Sequence, residues 1–408
     1  MRTVRVCIAM LFASIGMQLS TLAQEKFSKA GKIWYSDGFL YVNIVNEGVL
    51  VINNFDPRAP KKMGFIQIPG NVDMAVRGTV MYANAYQDLV ALDISDLNHI
   101  KELKRIPSVF THRPQSGFWN ASPIAWRTGA DLQEIIRNAF SWRRFWWESG
   151  SLIGNPFTLG TNPLVMSAAP VAKAPANAPT GVSKGGSMAC FALVDDYLYA
   201  IDSQDLLIFS IKNPASPEPV GMKVHIGSDI ETIFAYENHL FIGSQSGMYI
   251  YNIADRTRPE RQGSYQHVRS CDPVVVEGNY AYVTLRNGTD CGGSVNQLDI
   301  IDISSPARPR KISTHAMTNP HGLGIDNGLL FICDGRDGLK VFDATNPRQL
   351  RMLAHFHHIQ TYDVIPDSYR KVLMMVGGNK IAQYDYHNPQ QLTQLSVIDL
   401  TSTADIEY

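Results

Sequence analysis

One short apolar phrase ending in a polar residue recurs down this chain at a nearly constant interval, and it restricts the fold more than any other feature. It reads Leu-Asp-Ile-Ile-Asp-Ile-Ser-Ser-Pro at Leu298–Pro306, Leu-Lys-Val-Phe-Asp-Ala-Thr-Asn-Pro at Leu339–Pro347 and Leu-Val-Ala-Leu-Asp-Ile-Ser at Leu89–Ser95. Weaker copies follow Val51, Phe209, Tyr251 and Tyr384. The polar residue that closes each phrase is Asn53, Asp93, Ser210, Asn252, Asp302, Asp343 or Asp385, at successive intervals of 40, 117, 42, 50, 41 and 42 residues. A period of roughly 40–45 residues with several short strands per unit is the pattern of a β-propeller. Seven copies predict an all-β, seven-bladed β-propeller of four-stranded antiparallel blades.

Each unit repeats one order of parts. A turn such as Asp37-Gly38, Glu277-Gly278-Asn279 or Asp326-Asn327-Gly328 precedes an aromatic-rich run, as in Phe39–Val42 and Tyr280–Val283. A second polar turn, the marker strand and a Pro-containing turn follow, and then a weaker strand such as Lys62–Ile68. A short apolar run opens the next unit, as at Met74–Val76 and Leu323–Ile325. Runs this short, rich in β-branched and aromatic residues and interrupted every 8–12 residues, suit strands rather than amphipathic helices. Lys32–Tyr35 is expected to be the innermost strand of the first blade and Leu392–Leu400 the outermost of the last. Ring closure then depends on those two blades packing together.

Lysine plus arginine number 36 against 37 aspartates and glutamates, a balance that offers no electrostatic footprint for nucleic acid. Arg2 and Arg5 precede an apolar run over Val6–Met17, and Thr21-Leu22-Ala23 supplies small residues before Gln24. This predicts a cleaved secretory signal over residues 1–23, with the propeller over 24–408 in the periplasm, at the cell surface or outside the cell. No second hydrophobic stretch reads as a transmembrane segment. Cys7 begins the apolar run rather than following it, which argues against a lipid anchor there. Of the remaining cysteines, Cys271 and Cys291 map to one face of the fifth blade, and a disulfide between them would pin a long loop by about 3 kcal/mol. Cys190 and Cys333 fall in strands of distant blades and read as buried free thiols.

The long interval is an insertion between blades two and three, from Thr111 to about Gly186. It holds five of the six tryptophans, and Asp131–Glu148 has apolar residues at helical spacing opposite Arg137, Arg143 and Arg144, so a helix is expected there. Ala168–Gly186, rich in Ala, Pro and Gly, reads as a linker. Chain direction puts the insertion on the face where inner strands begin. Trp142, Trp146 and Trp147 then form either a lid or partner surface, or a stripe packed on the propeller rim.

On that same face the inner-strand starts align Asp73, Glu231, Asp272 and Asp363 in one column, with His321 one position earlier in its unit. Inner strands line the channel, so these groups should converge on its mouth. Carboxylates gathered there repel unless a cation, a basic neighbour or protonation compensates, and Arg269 and His267 are near enough in sequence to contribute. The column reads as a hard-cation site, as a pocket for hydroxyl or ammonium groups, or as acids that cap backbone amides and join blades.

No catalytic motif is present: no Gly-rich phosphate loop, Cys-x-x-Cys, His-Glu-x-x-His or Gly-x-Ser-x-Gly. Asp334–Gly338 lacks the spacing and bidentate acid of a calcium loop. His355, His357 and His358 end the outer strand of blade six, where alternation puts His355 and His357 on one side, as a weak metal pair or an exposed edge.

With these residues in hand, the chain resembles the LVIVD-repeat proteins, a family of secreted or surface-exposed bacterial β-propellers. The resemblance is strongest in Gly185–Ala189, Ile230–Phe234, His267–Val276 and Met317–Ile325. It implies the propeller fold and export, and it carries no activity, since propellers host both enzymes and scaffolds. Two functions follow as expectations. One is a non-enzymatic scaffold that binds a protein or glycan through the insertion-bearing face and the channel mouth. The other is a hydrolase or lyase using the mouth acids and His321. Acids flanking an open cleft would favour catalysis, whereas acids hydrogen-bonded under a packed cover would favour the scaffold.

Overall fold

The computed structural model describes residues 29–110, 183–268, 270, 273–287 and 294–401. They form seven antiparallel sheets arranged as seven blades, each a meander of consecutive strands. The innermost strands are Ala30–Ser36, Met74–Arg77, Phe191–Val194, Ile230–Tyr236, Val274–Glu277, Leu323–Asp326 and Asp363–Asp367. Thr393–Asp399 is the outermost strand of the last blade, as expected. The only helical elements among the described residues are the 3-10 turns Gly335–Asp337 and Pro347–Gln349. The helix expected over Asp131–Glu148, with Trp142, Trp146 and Trp147, lies outside the described residues.

Tight hairpins between first and second strands need left-handed backbone. Asp37 and Gly38 adopt φ of 49° and 84°, and Asn327 and Gly328 adopt 48° and 75°, values that short polar residues and glycine tolerate best. The core lies between blades. Alternate residues of the middle strands, such as Leu50 and Ile52 in blade one and Leu298 and Ile300 in blade five, are fully buried against the adjacent sheet.

The ring closes where blade seven meets blade one, with no strand exchanged among the described residues. Ile33, Leu40, Leu50 and Ile52 pack against Ile365, Val372, Met374 and Ile381. Polar groups complete this seam. Fully buried Asn54 and Gln383 exchange amide hydrogen bonds of 2.9 and 2.7 Å, and Arg370 donates to the Asn54 carbonyl at 2.7 Å while pairing with Asp367 at 2.6 Å.

The linker expectation for Ala168–Gly186 is corrected at its end. Ser183–Gly185 is a strand paired antiparallel to the free inner edge of Ala30–Ser36, with Trp34 opposite Gly185 and Ser36 opposite Ser183. It therefore lies inside the central channel. Phe110 donates its amide to Gln87 on the mouth face, whereas Ser183 lies beside Ser36 at the far end. The two described ends of the insertion thus sit at opposite ends of the channel, and the expectation that it occupies one face is not met there. Small residues suit this path because the chain must pass between packed strands. A Cβ on Gly185 would come within 2.9 Å of the Trp34 ring, and one on Gly186 within 1.9 Å of Asp363 Oδ2.

Candidate functional site: a channel mouth closed by its own chain

After the channel strand, Gly186–Cys190 crosses the mouth from the blade-one side toward blades three and four. Gly186 donates to Ile33 O at 3.1 Å, and Ala189 O accepts from Ile233 at 2.8 Å. Ser187, Met188, Ala189 and Cys190 are all buried. The acids of the column meet this crossing rather than solvent.

Asp73, 3% exposed, binds the Lys32 ammonium at 3.0 Å and accepts the Cys190 amide with the same Oδ2. Its Oδ1 caps the Met74 amide. Asn84 fixes the local backbone by accepting from the Val72 and Asp73 amides at 2.8 and 3.0 Å. A bulge between Ala30 and Ile33 turns Lys32 into this contact. Burial opposes the Lys32 charge, but Asp73 and Cys190 outweigh it and its pKa ends above the ordinary lysine value. The Cys190 thiol, 2.6 Å from Lys32 Nζ, donates to the Glu231 carbonyl at 3.2 Å, and burial pushes its pKa up to about 11.

Glu231 sits at a second bulge, between Ile230 and Thr232, and accepts from Gln245 at 3.0 Å. Asp363 Oδ1 accepts from the Ser187 hydroxyl at 2.9 Å and caps the Val364 amide at 3.0 Å. Ser187 in turn accepts from the Leu323 amide at 2.9 Å. The Asp363 Oδ2 is buried against the crossing segment, where a Cβ on Gly186 would come within 1.9 Å of it. Burial, partly offset by the Ser187 hydroxyl and by the Val364, Ser187 and Met188 amides, raises the Asp363 pKa to about 7. A carboxyl at that value keeps its proton into the neutral range.

His321 lies close by, edge-on to the Tyr362 ring at 5.0 Å and 3.3 Å from the Asn319 amide. Burial, reinforced by Arg286 and Lys29, lowers its pKa to about 3, so it is neutral at physiological pH. At the far end of the channel Lys184 faces Asp326, Glu277 and Asp367, which partly offset the burial that lowers its pKa.

Asp73, Glu231 and Asp363, from blades two, four and seven, are thus brought together on one crossing segment, with His321 at its edge. Arg269 and Asp272 lie outside the described residues, as does the Cys271–Cys291 pairing. Cys190 and Cys333 are buried free thiols, in keeping with the sequence. His267 Nδ1 lies 2.7 Å from the Val268 carbonyl. Among the described acids, compensation comes from Lys32 at Asp73 and from protonation at Asp363. Sequence reasoning missed Lys32, Ser187 and Cys190 as partners. Lys32 opens an inner strand much as the acids do, a signal that was present; the Ser187 and Cys190 contacts depend on the crossing and had none.

A family model for the LVIVD repeat matches residues 269–315. No curated protein matches the chain. Among solved structures, a protein from Lactobacillus plantarum aligns with TM-score 0.57 and 11% identity over 93% of this chain and 98% of its own. The periplasmic gluconolactonase of Pseudomonas aeruginosa aligns with 0.54 and 11% over 92% and 97%. A putative 6-phosphogluconolactonase from Bacteroides fragilis aligns with 0.53 and 10% over 91% and 96%. At such identities the likeness concerns the fold alone. No helix among the described residues is long and apolar enough to cross a membrane. The repeat match over residues 269–315, within a ring of seven blades, fits an LVIVD-repeat β-propeller protein.

Proposed function

We propose that this protein is an exported scaffold that binds a protein or glycan through its mouth face, without catalysis. One observation carries the reading: Asp73, Glu231 and Asp363 are buried under Gly186–Cys190 and held by Lys32, Ser187, Gln245 and backbone amides, so among the described mouth acids no pair of carboxylates flanks an open cleft. Exposed Tyr86, Val268 and Tyr362 stand around the cover on the same face, and apolar groups on a polar rim suit partner contact. The basic, apolar N-terminus of the sequence supports export.

A second reading, a hydrolase or lyase at the mouth, draws on Asp363, whose pKa of about 7 suits proton transfer near neutrality. The lactonase propellers of like fold suggest sugar lactones as the substrates to try. One experiment separates the two. A photo-crosslinker replaces Tyr362 on the mouth face or Tyr369, 73% exposed on the opposite face, and lactone opening is followed in parallel by pH-stat. A scaffold captures a partner or glycan at position 362, not at 369, and opens no lactone. Equal capture at both positions, or lactone turnover lost in Asp363→Asn, overturns the scaffold reading.

A further inference from the structure

The outer rim of blade six carries a cluster that the channel mouth does not use. The outer strand Arg351–Phe356 ends at His357, and the turn Asp334–Gly338 folds back against it. Gly338 makes that approach possible: its φ is +98°, and a Cβ there would stand 2.2 Å from Phe356 O and 2.7 Å from His357 Cα. A larger residue would push the turn off the strand end. The result is that Asp337 Oδ1 lies 3.5 Å from His355 Nε2 and 3.3 Å from His357 Nδ1. All three donor atoms fall within 4.8 Å of one another, and the imidazole centroids are 3.7 Å apart.

We propose that Asp337, His355 and His357 form a binding site for a borderline divalent cation of the Zn2+, Cu2+ or Ni2+ type. Ligands at about 2.0–2.2 Å around a tetrahedral metal stand roughly 3.4 Å apart, and the two carboxylate–imidazole separations already match that spacing. Two imidazoles and one carboxylate oxygen select this class of metal over calcium or magnesium, which take all-oxygen shells. The carboxylate is also aimed. Its Oδ2 is occupied by Lys340 at 2.8 Å and the Thr318 hydroxyl at 2.7 Å, so Oδ1 is left to face the histidines. Such outer partners commonly orient metal-binding carboxylates. His355 Nε2, now 2.6 Å from the Asp337 carbonyl, exchanges that hydrogen bond for the metal. The side chain of His357 is 72% exposed, leaving the outer coordination positions to water or to a side chain of a bound partner. The site does not depend on the scaffold reading and can be tested without it.

The test uses the tag-free full-length protein, stripped with chelator and titrated with Zn2+ by calorimetry, and with Cu2+ under electron paramagnetic resonance. One equivalent of zinc should bind, with hyperfine structure from two nitrogens in the copper spectrum. His357→Ala, at an exposed position that leaves folding intact, and Asp337→Asn should each weaken binding at least about 10-fold, and Thr318→Val by about 10-fold. His387→Ala removes an exposed imidazole 2.8 Å from Asp385 that has no such second histidine among the described residues, and it should change nothing. Absence of zinc binding by the wild type, or binding undiminished in His357→Ala, overturns the proposal.

Discussion

Asp363 and Asp73 solve the same problem in two ways. Both are buried at the start of an inner strand, where a bare carboxylate is costly. Asp73 pairs with the Lys32 ammonium at 3.0 Å, whereas Asp363 has no basic partner among its hydrogen bonds and rises to about 7 through burial. Its folded pKa lies above the unfolded value, so the stability it contributes is fully present below about pH 4 and is lost as pH rises through about 7. Asp363→Asn, which keeps an acceptor for Ser187 and Val364, should remove this part of the pH dependence. Relative to wild type its gain should be on the order of 2 kcal/mol larger at pH 8 than at pH 5. Denaturant unfolding at the two pH values measures both, and an equal effect at each would refute a neutral Asp363. His321 should not contribute a step near pH 6.5, because burial holds it at about 3.

At the scale of the element, the repeated marker is a turn device. Asp93, Asn252, Asp343 and Asp385 each accept the amide two residues on, at 3.0, 2.8, 3.1 and 2.8 Å, reversing the chain from third to fourth strand. Six blades also place a bulge one to two residues before the marker, as at Val51/Ile52, Ala91/Leu92 and Ile300/Ile301. Blade three, whose marker is Ser210, lacks it, and its outer edge is split into Glu218–Pro219 and Val224–His225. A degenerate phrase thus goes with a degenerate blade. The channel strand is the element that composition concealed. Gly186→Ala should drive a methyl into Asp363 Oδ2 and destabilise by about 2–3 kcal/mol. The matched Gly221→Ala would meet nothing within 4 Å, so its smaller cost, set by φ of +69° alone, calibrates the measurement. Equal losses would show that the channel is not tightly filled at Gly186.

For the whole molecule, ring closure rests on the seam between the last and first blades, whose packed residues are the farthest apart in sequence. Arg370 joins three parts of it: Asp367, the Asn54 carbonyl and the Tyr35 hydroxyl. Asp367 is 8% exposed, so Arg370→Ala strands a largely buried charge and should cost about 3 kcal/mol. Arg77–Asp196, which bridges blades two and three, is 38% and 48% exposed, and Arg77→Ala should cost under about 1 kcal/mol. Thermal unfolding of the two variants measures the contrast, and similar losses would mean that the seam is held by its apolar contacts alone.

The repeat determined the seven blades, their strand order and the identity of the closing seam, because each depends on local patterns of turn formers and alternating apolar residues. It also located Asp73, Glu231 and Asp363 at equivalent strand starts, and the buried state of Cys190 and Cys333. Spacing within one strand put His355 and His357 on a common side. Only the tertiary structure decided what these groups meet. Asp337 reaches the histidines because Gly338 lets a neighbouring turn abut the strand end. The mouth acids meet a returning segment rather than solvent because Ser183–Gly185 pairs with the free edge of the first inner strand. Pairing between residues some 150 positions apart, such as Trp34 with Gly185, leaves no trace in local periodicity.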